Sequence, residues 1–128
     1  MTTWLNLMSV AAGGAAGSMA RYLITVGSAS VPGGSTMLGT TLANVMGCAA
    51  IGALAELILV GHVSERTQLA VQTGFLGGLT TFSSFALESA VLADTGRWSI
   101  SGLYVLANLC LGWVALVTAA AVVKGWVA

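Results

Sequence analysis

Apolar residues run along this chain in four long blocks, parted by three short polar stretches. A membrane-spanning helix needs roughly 20 predominantly apolar residues, and each block meets that length. The first runs from about Trp4 to Thr25, the second from Thr36 to Val60, the third from Thr67 to Leu92 and the fourth from Trp98 to Val123. Gly27-Ser28-Ala29-Ser30-Val31-Pro32-Gly33-Gly34-Ser35, which holds the only proline, reads as the first loop. His62-Val63-Ser64-Glu65-Arg66 is the second, with Ser64 placed to cap the helix that follows. Asp94-Thr95-Gly96-Arg97 is the third, and Gly96 reads as a helix stop. The predicted fold class is an all-α integral membrane protein, one four-helix domain over residues 1–128.

Composition agrees with this pattern. Hydrophobic residues make up 57% of the chain and charged residues 6%, against about 25% charged in soluble domains. Four basic and four acidic residues do not build a water-facing surface, so the bilayer is the solvent for most of it. The same count leaves no basic patch for nucleic acid and no polybasic stretch for anionic lipid. No Lys or Arg precedes the apolar run that begins at Leu5, so the N-terminus lacks the charged region of a signal peptide. It reads as a first spanning helix that stays in place. Trp4, Trp98 and Trp126 fall at span ends, where amphipathic rings settle; Trp113 falls mid-span and is expected to pack against protein. Cys48 and Cys110 lie within apolar stretches and read as buried free thiols.

Four alternating spans put the N-terminus, the second loop and the C-terminus on one side, with Arg66 and Lys124. Arg21 and Arg97 fall on the other. Two against two gives the positive-inside rule nothing to choose between. Either the chain inserts both ways and pairs as an antiparallel dimer, or context sets a weak bias. Gly13 with Gly17, and Gly39, Ala43 and Gly47, recur every fourth residue; such small faces let membrane helices approach closely.

The chemistry concentrates in Gly74-Phe75-Leu76-Gly77-Gly78-Leu79-Thr80-Thr81-Phe82-Ser83-Ser84-Phe85. Three glycines in five residues weaken a helix by roughly 1 kcal/mol each relative to alanine, and Thr80, Thr81, Ser83 and Ser84 follow. Non-helical backbone at membrane depth persists only inside protein or along an aqueous cavity. A break there frees carbonyls for a cation and a half-helix N-terminus for an anion. The alternative is a close-packing glycine face with hydroxyls bonded back to the backbone. Phe82 and Phe85 share one helix face, and their positive ring edges, beside hydroxyl and amide donors, suit a small anion. Asn44, mid-span in the second helix, serves either as an anion donor or as an interhelical hydrogen bond. Arg21 reads as an interfacial residue with a snorkelling side chain, the other choice being a vestibule. Glu88 either lines a polar path or caps helix packing; Glu56 reads as interfacial and His62 as a solvated loop residue.

The segment from Gly74 to Phe85 closely resembles the signature of the Fluc (CrcB) fluoride channel family. The Gly39-Thr40, Asn44 and Gly47 pattern is similar to that family's second helix, and Gly13 to Gly17 with Arg21-Tyr22 to its first. The resemblance covers essentially the whole chain. It implies an antiparallel, dual-topology homodimer in the cell (inner) membrane, with two fluoride pores that export fluoride from the cytoplasm. It implies a structural Na+ at the dimer centre, held by carbonyls of Gly77 and Thr80 from both subunits. The phenylalanine pair falls on Phe82 and Phe85 and the pore asparagine on Asn44. The polar track includes Thr40, Thr81, Ser83, Ser84, Glu88 and Tyr104, and the vestibule arginine falls on Arg21. The implied partners are fluoride, membrane lipid and a second copy of the chain. In the fourth helix Asn108 and Gly112 stand where the family often carries small hydroxyl residues.

Three rivals are weaker. A four-helix drug/proton antiporter requires an acid in its first helix, and residues 1–20 contain none. A fluoride/proton exchanger has Glu88 as its one candidate carrier. A non-transporting subunit explains the small-residue faces but not a break followed by four hydroxyls. No phosphate loop, nucleophile elbow or metal-ligand cluster points to an enzyme.

Overall fold

The computed structural model describes residues 2–127. Within them lie α1 (Thr2–Ser30), α2 (Thr36–Leu59), a third span from Glu65 to Asp94, and a final long helix. The third span is composite. It opens with α3 (Glu65–Gln68), widens into a π-helical stretch (Leu69–Leu76) and closes its first half with α4 (Gly77–Leu79). Thr80 and Thr81 are extended, and α5 (Phe82–Asp94) resumes the helix; α6 (Trp98–Val127) is the last element. The second, third and fourth spans are long and apolar enough to cross a membrane. The 29 residues of α1 exceed the roughly 20 a crossing needs; their Gly, Ala and Ser content lowers the mean hydropathy.

The helix ends follow local chemistry. Ser35 accepts from the Leu38 amide and Ser64 from the Thr67 amide, so the predicted Ser64 cap is present. Gly96 takes φ +78° and ends α5, with the Arg97 amide reaching back to Leu92 O at 2.9 Å. The first loop is shorter than the sequence predicts. Helix α1 continues through Gly27 and Ser28 to Ser30, whose Oγ donates to Val26 O, and the turn waits for Pro32 and Gly33 at φ +75°. Hydroxyls that bond back to the i−4 carbonyl are compatible with helix, which is why the Gly/Ser run misled.

Packing order gives the topology. Gly13 and Gly17 lie against Ala70 and Phe75 of the third span, so α1 and that half-span run in the same direction. Met37, Thr41 and Gly52 of α2 meet Tyr104, Asn108 and Leu116 of α6 in the same order, so these two are also parallel. Thr40 meets Glu88 while Asn44 meets Thr81, so α2 and α5 run opposite ways. The four spans therefore alternate up and down.

The glycines answer to packing. A methyl group on Gly17 would overlap the Phe75 carbonyl, one on Gly13 the Ala70 carbonyl, and one on Gly74 would stand 2.7 Å from Val10 O. Backbone meets backbone along this seam, the small-residue arrangement that membrane helices use to associate. The break falls within Gly74 to Phe85 as expected, but Gly74, Gly77 and Gly78 are all helical. It falls two residues later, on Thr80 and Thr81. Both sequence readings thus hold in part, since Thr80 Oγ1 does bond back to Leu76 O at 2.9 Å. Trp113 does not pack inside this chain: it is 67% exposed. Cys110 is exposed and Cys48 half-buried, so the reading of both as buried thiols is corrected; both are free. On an all-round apolar helix such as α6, composition alone does not tell which face turns inward.

Substitutions along the seam test this account. Gly17→Val is expected to destabilise the fold by about 1–3 kcal/mol through overpacking. Gly27→Ala, on the same helix with open space around it, is expected to be neutral or to stabilise by up to about 1 kcal/mol. Thermal unfolding in detergent followed by circular dichroism measures both.

Candidate functional site

The break is held open by one side chain. The amide of Thr80 still reaches Leu76 O at 3.0 Å, but that of Thr81 leaves the helix and donates to Asn44 Oδ1 at 2.8 Å. Asn44 Nδ2 in turn donates to Thr81 O at 3.2 Å. One amide thus pairs with both polar groups of an extended residue, as a neighbouring strand would. Thr81 then caps α5, its Oγ1 accepting from the Ser84 amide at 3.2 Å and donating to Ser84 Oγ at 3.1 Å.

The break leaves four carbonyls without their helical N–H, those of Gly77, Gly78, Leu79 and Thr80; these diversions account for the first and the last. In a continuous helix the Thr81 N–H would serve Gly77 O and the Ser84 N–H would serve Thr80 O. Both N–H groups are taken by side chains instead. Gly77 is exposed, Thr80 is half-buried, and both line one open cleft of about 410 Å³. No group of three or more His, Cys, Asp or Glu residues lies together among the described residues. The oxygens the cleft offers a cation are backbone carbonyls, the donor type of unwound membrane helices, and neutral side chains such as Gln72 and Thr80.

The same cleft holds the aromatic pair. Phe82 is 77% exposed and Phe85 7%. Their centroids are 5.6 Å apart at 62°, an edge-to-face arrangement, and Phe85 meets Tyr104 at 5.5 Å. Asn44, Thr81 and Asn108 share the lining. On the other side of the break a second cavity of about 330 Å³ is lined by Arg21, Thr40, Thr81, Ser84 and Glu88, among others. Thr81 borders both spaces and so stands between them. Glu88 accepts from Thr40 Oγ1 at 3.2 Å and from Tyr104 Oη at 2.6 Å. Glu88 thus lines the second cavity while tying α5 to α2 and α6, which fits both roles the sequence left open. Ser83 is exposed, with its Oγ 3.3 Å from Thr81 Oγ1.

Arg21 departs from its interfacial reading. It lies nine residues before the end of α1, half-buried, and its Nε donates to Gly78 O at 3.0 Å. That carbonyl also lies at the foot of the break, and a charged donor is a strong partner for it. The guanidinium is drawn inward because the underestimated length of α1 hid how deep residue 21 sits.

Sequence reasoning underrated Asn108. It is buried, donates through Nδ2 to Thr41 Oγ1 and Tyr104 O, both at 3.1 Å, and accepts from Asn44 Nδ2 at 3.3 Å. The available signal was the 64-residue pairing of two mid-span asparagines, each too costly to leave alone in hydrocarbon. The structure places every predicted site residue around the break: Thr40, Asn44, Glu88 and Tyr104 in one network, Thr81, Ser83 and Ser84 at the α5 cap, Phe82 and Phe85 in the cleft, Gly77 and Thr80 beside them, and Arg21 behind. Among the described residues no deeply buried side-chain N or O lacks a partner.

Residues 8–120 match the family model described as "CrcB-like protein, Camphor Resistance (CrcB)". A protein of Rhodopirellula baltica named "Fluoride-specific ion channel FluC" is 40% identical, with 98% of this chain and 99% of that one aligned. A protein of the same name from Cereibacter sphaeroides is 37% identical over 96% of this chain and 98% of its own length. Another from Shewanella sp. (strain ANA-3) is 40% identical over 83% of this chain and 86% of its own. A broken, amide-locked third span in an all-helical chain, matched over nearly its full length, makes this a multi-pass membrane protein that belongs to the CrcB family.

Proposed function

We propose that this protein is a passive, fluoride-selective ion channel, not an enzyme, that lets fluoride leave the cytoplasm across the cell's inner membrane. The observation that carries the reading is the Thr80–Thr81 break. On one side it presents an aromatic edge pair with amide and hydroxyl groups, and on the other a second cavity lined by polar side chains as far as Glu88. The family and its relatives' names support the ion.

These linings fit a small anion that must bind and leave. Conduction needs several weak contacts in series and no trap. Amide N–H, hydroxyl and ring-edge donors supply such contacts. The one cation nearby, Arg21, is partly spent on the Gly78 carbonyl, so it raises the local potential without forming a deep well. Fluoride that enters a cell as the neutral acid ionises and is trapped; a passive pore lets it out.

The proposal includes an antiparallel, dual-topology homodimer with two pores and a central Na+. The cleft that holds Gly77, Thr80 and Phe82 is open on this chain's surface. A second copy turned over would bring its own Gly77 and Thr80 carbonyls to the first pair. Two carbonyls from one chain are few for a cation, and four are a plausible shell. The even charge count fits insertion in both senses. Na+, when bound, supplies positive charge at the level of the break; the chain's part is to hold the two carbonyls free.

Purified protein in liposomes tests the channel, with a fluoride electrode reading efflux after a potassium ionophore is added. Fast, ionophore-dependent fluoride release with chloride retained is expected; no release from a folded dimer would overturn the reading, and release without the ionophore would favour proton exchange through Glu88. Phe82→Ile is expected to slow release about three- to tenfold, the equivalent of one aromatic-edge contact, and Asn44→Asp to abolish it. A ligand bound only by the folded state raises its stability by mass action. Above the dissociation constant, the melting temperature of the dimer should therefore climb steadily with the logarithm of sodium concentration, more than in a matched series of a larger cation, and a midpoint that does not distinguish the two salts would remove the central cation.

A further inference from the structure

Both amide hydrogens of Asn44 are already engaged, one on Thr81 O and one on Asn108 Oδ1. The orientations are fixed by partners that cannot exchange roles. Thr81 N–H can only donate, so it faces Asn44 Oδ1; Tyr104 O can only accept, so it faces Asn108 Nδ2. Asn108 Oδ1 is thus left pointing its lone pairs at Asn44. Thr41 completes the chain: its Oγ1 accepts from Asn108 and donates to Met37 O. Of the two Asn44 bonds, the one to Thr81 holds the break. The one to Asn108 joins two side chains that line the same cleft as Phe82 and Phe85.

We infer that Asn108 is a positioning residue that sets fluoride affinity by competing for the Asn44 N–H. An anion that takes this donor first displaces Asn108 Oδ1, and its apparent affinity is lowered by the fraction of time the donor is occupied. The bond is neutral and long at 3.3 Å, weak enough to exchange. Thr41 and Tyr104 O anchor the other end of Asn108, so the displaced oxygen stays near and re-forms the bond when the anion moves on. The inference rests on the channel reading above.

The test is the fluoride concentration that half-saturates flux in the reconstituted dimer. Asn108→Ala removes the competing oxygen and should lower it about two- to tenfold, the range a single neutral hydrogen bond spans; Asn108→Ser, whose shorter hydroxyl can still accept, should lower it less. Asn108→Asp keeps and strengthens the acceptor and should raise it. A residue that merely supported the fold would lower maximal flux in all three without opposite shifts in half-saturation, and that outcome overturns the inference. Wild-type protein supplies a check that needs no variant. The chain has three asparagines, Asn6, Asn44 and Asn108, so asparagine-selective 15N labelling gives three side-chain amide signals. Added fluoride should move those of Asn44 and Asn108 together and leave Asn6 still. Movement of Asn44 alone overturns the inference with the channel intact, whereas no fluoride flux in wild-type vesicles overturns the channel reading and this one with it.

Discussion

Everything at the site depends on the pairing of one side-chain amide with one backbone residue. Asn44 satisfies both the N–H and the C=O of Thr81. In hydrocarbon, unpaired backbone groups cost several kcal/mol each, so an extended residue in mid-membrane needs a partner of this shape. Once Thr81 is held, its hydroxyl is free to cap α5, and that capping removes the Ser84 N–H from Thr80 O. The break, the new helix start and the orphaned carbonyls are consequences of a single contact between α2 and the third span.

Around that contact the molecule divides into two kinds of packing. Helix α1 and the π-helical half-span touch backbone to backbone through Gly13, Gly17, Gly74 and Gly78, with Arg21 tied to Gly78 O. Helices α2, α5 and α6 meet through side chains, in a hydrogen-bonded run from Met37 O through Thr41, Asn108 and Asn44 to Thr81, and in the Thr40–Glu88–Tyr104 cluster. Glycine fixes distances on the first side. Directional polar bonds fix angles on the second. The break lies where the two meet, and Gly47 makes room there for the Thr80 methyl.

The sequence disclosed the four spans, the Ser64 cap, the Gly96 stop and the third-span segment, because each has a local signature in turn chemistry or in a run of apolar residues. It put the break within Gly74 to Phe85 but could not tell which residues of that segment leave the helix, because helix weakness and close approach both select glycine, and only the structure separates them. It set Arg21 at a helix end because Gly27 to Ser30 look like loop and are helix. Its tally of two positive residues on each side therefore counted an arginine that the folded chain draws inward; insertion reads the spans before they fold, so the tie still bears on orientation. The role of Asn108 was least legible, since it depends on a partner 64 positions away.

The exposed cleft has a consequence for assembly. Water-soluble proteins associate chiefly to hide apolar surface, and lipid removes that incentive. What this chain leaves facing lipid at the level of the break is the reverse: Gly77 and Thr80, whose carbonyls have lost their helical partners, beside an exposed aromatic ring. A lone copy is a solute with an unsolvated polar spot, and any surface that brings positive charge or donors to it acts as a local replacement for water. In the dimer proposed above, association at this face would be a matter of hydration, not of greasiness, and would answer to the supply of cations more than to the character of the lipid.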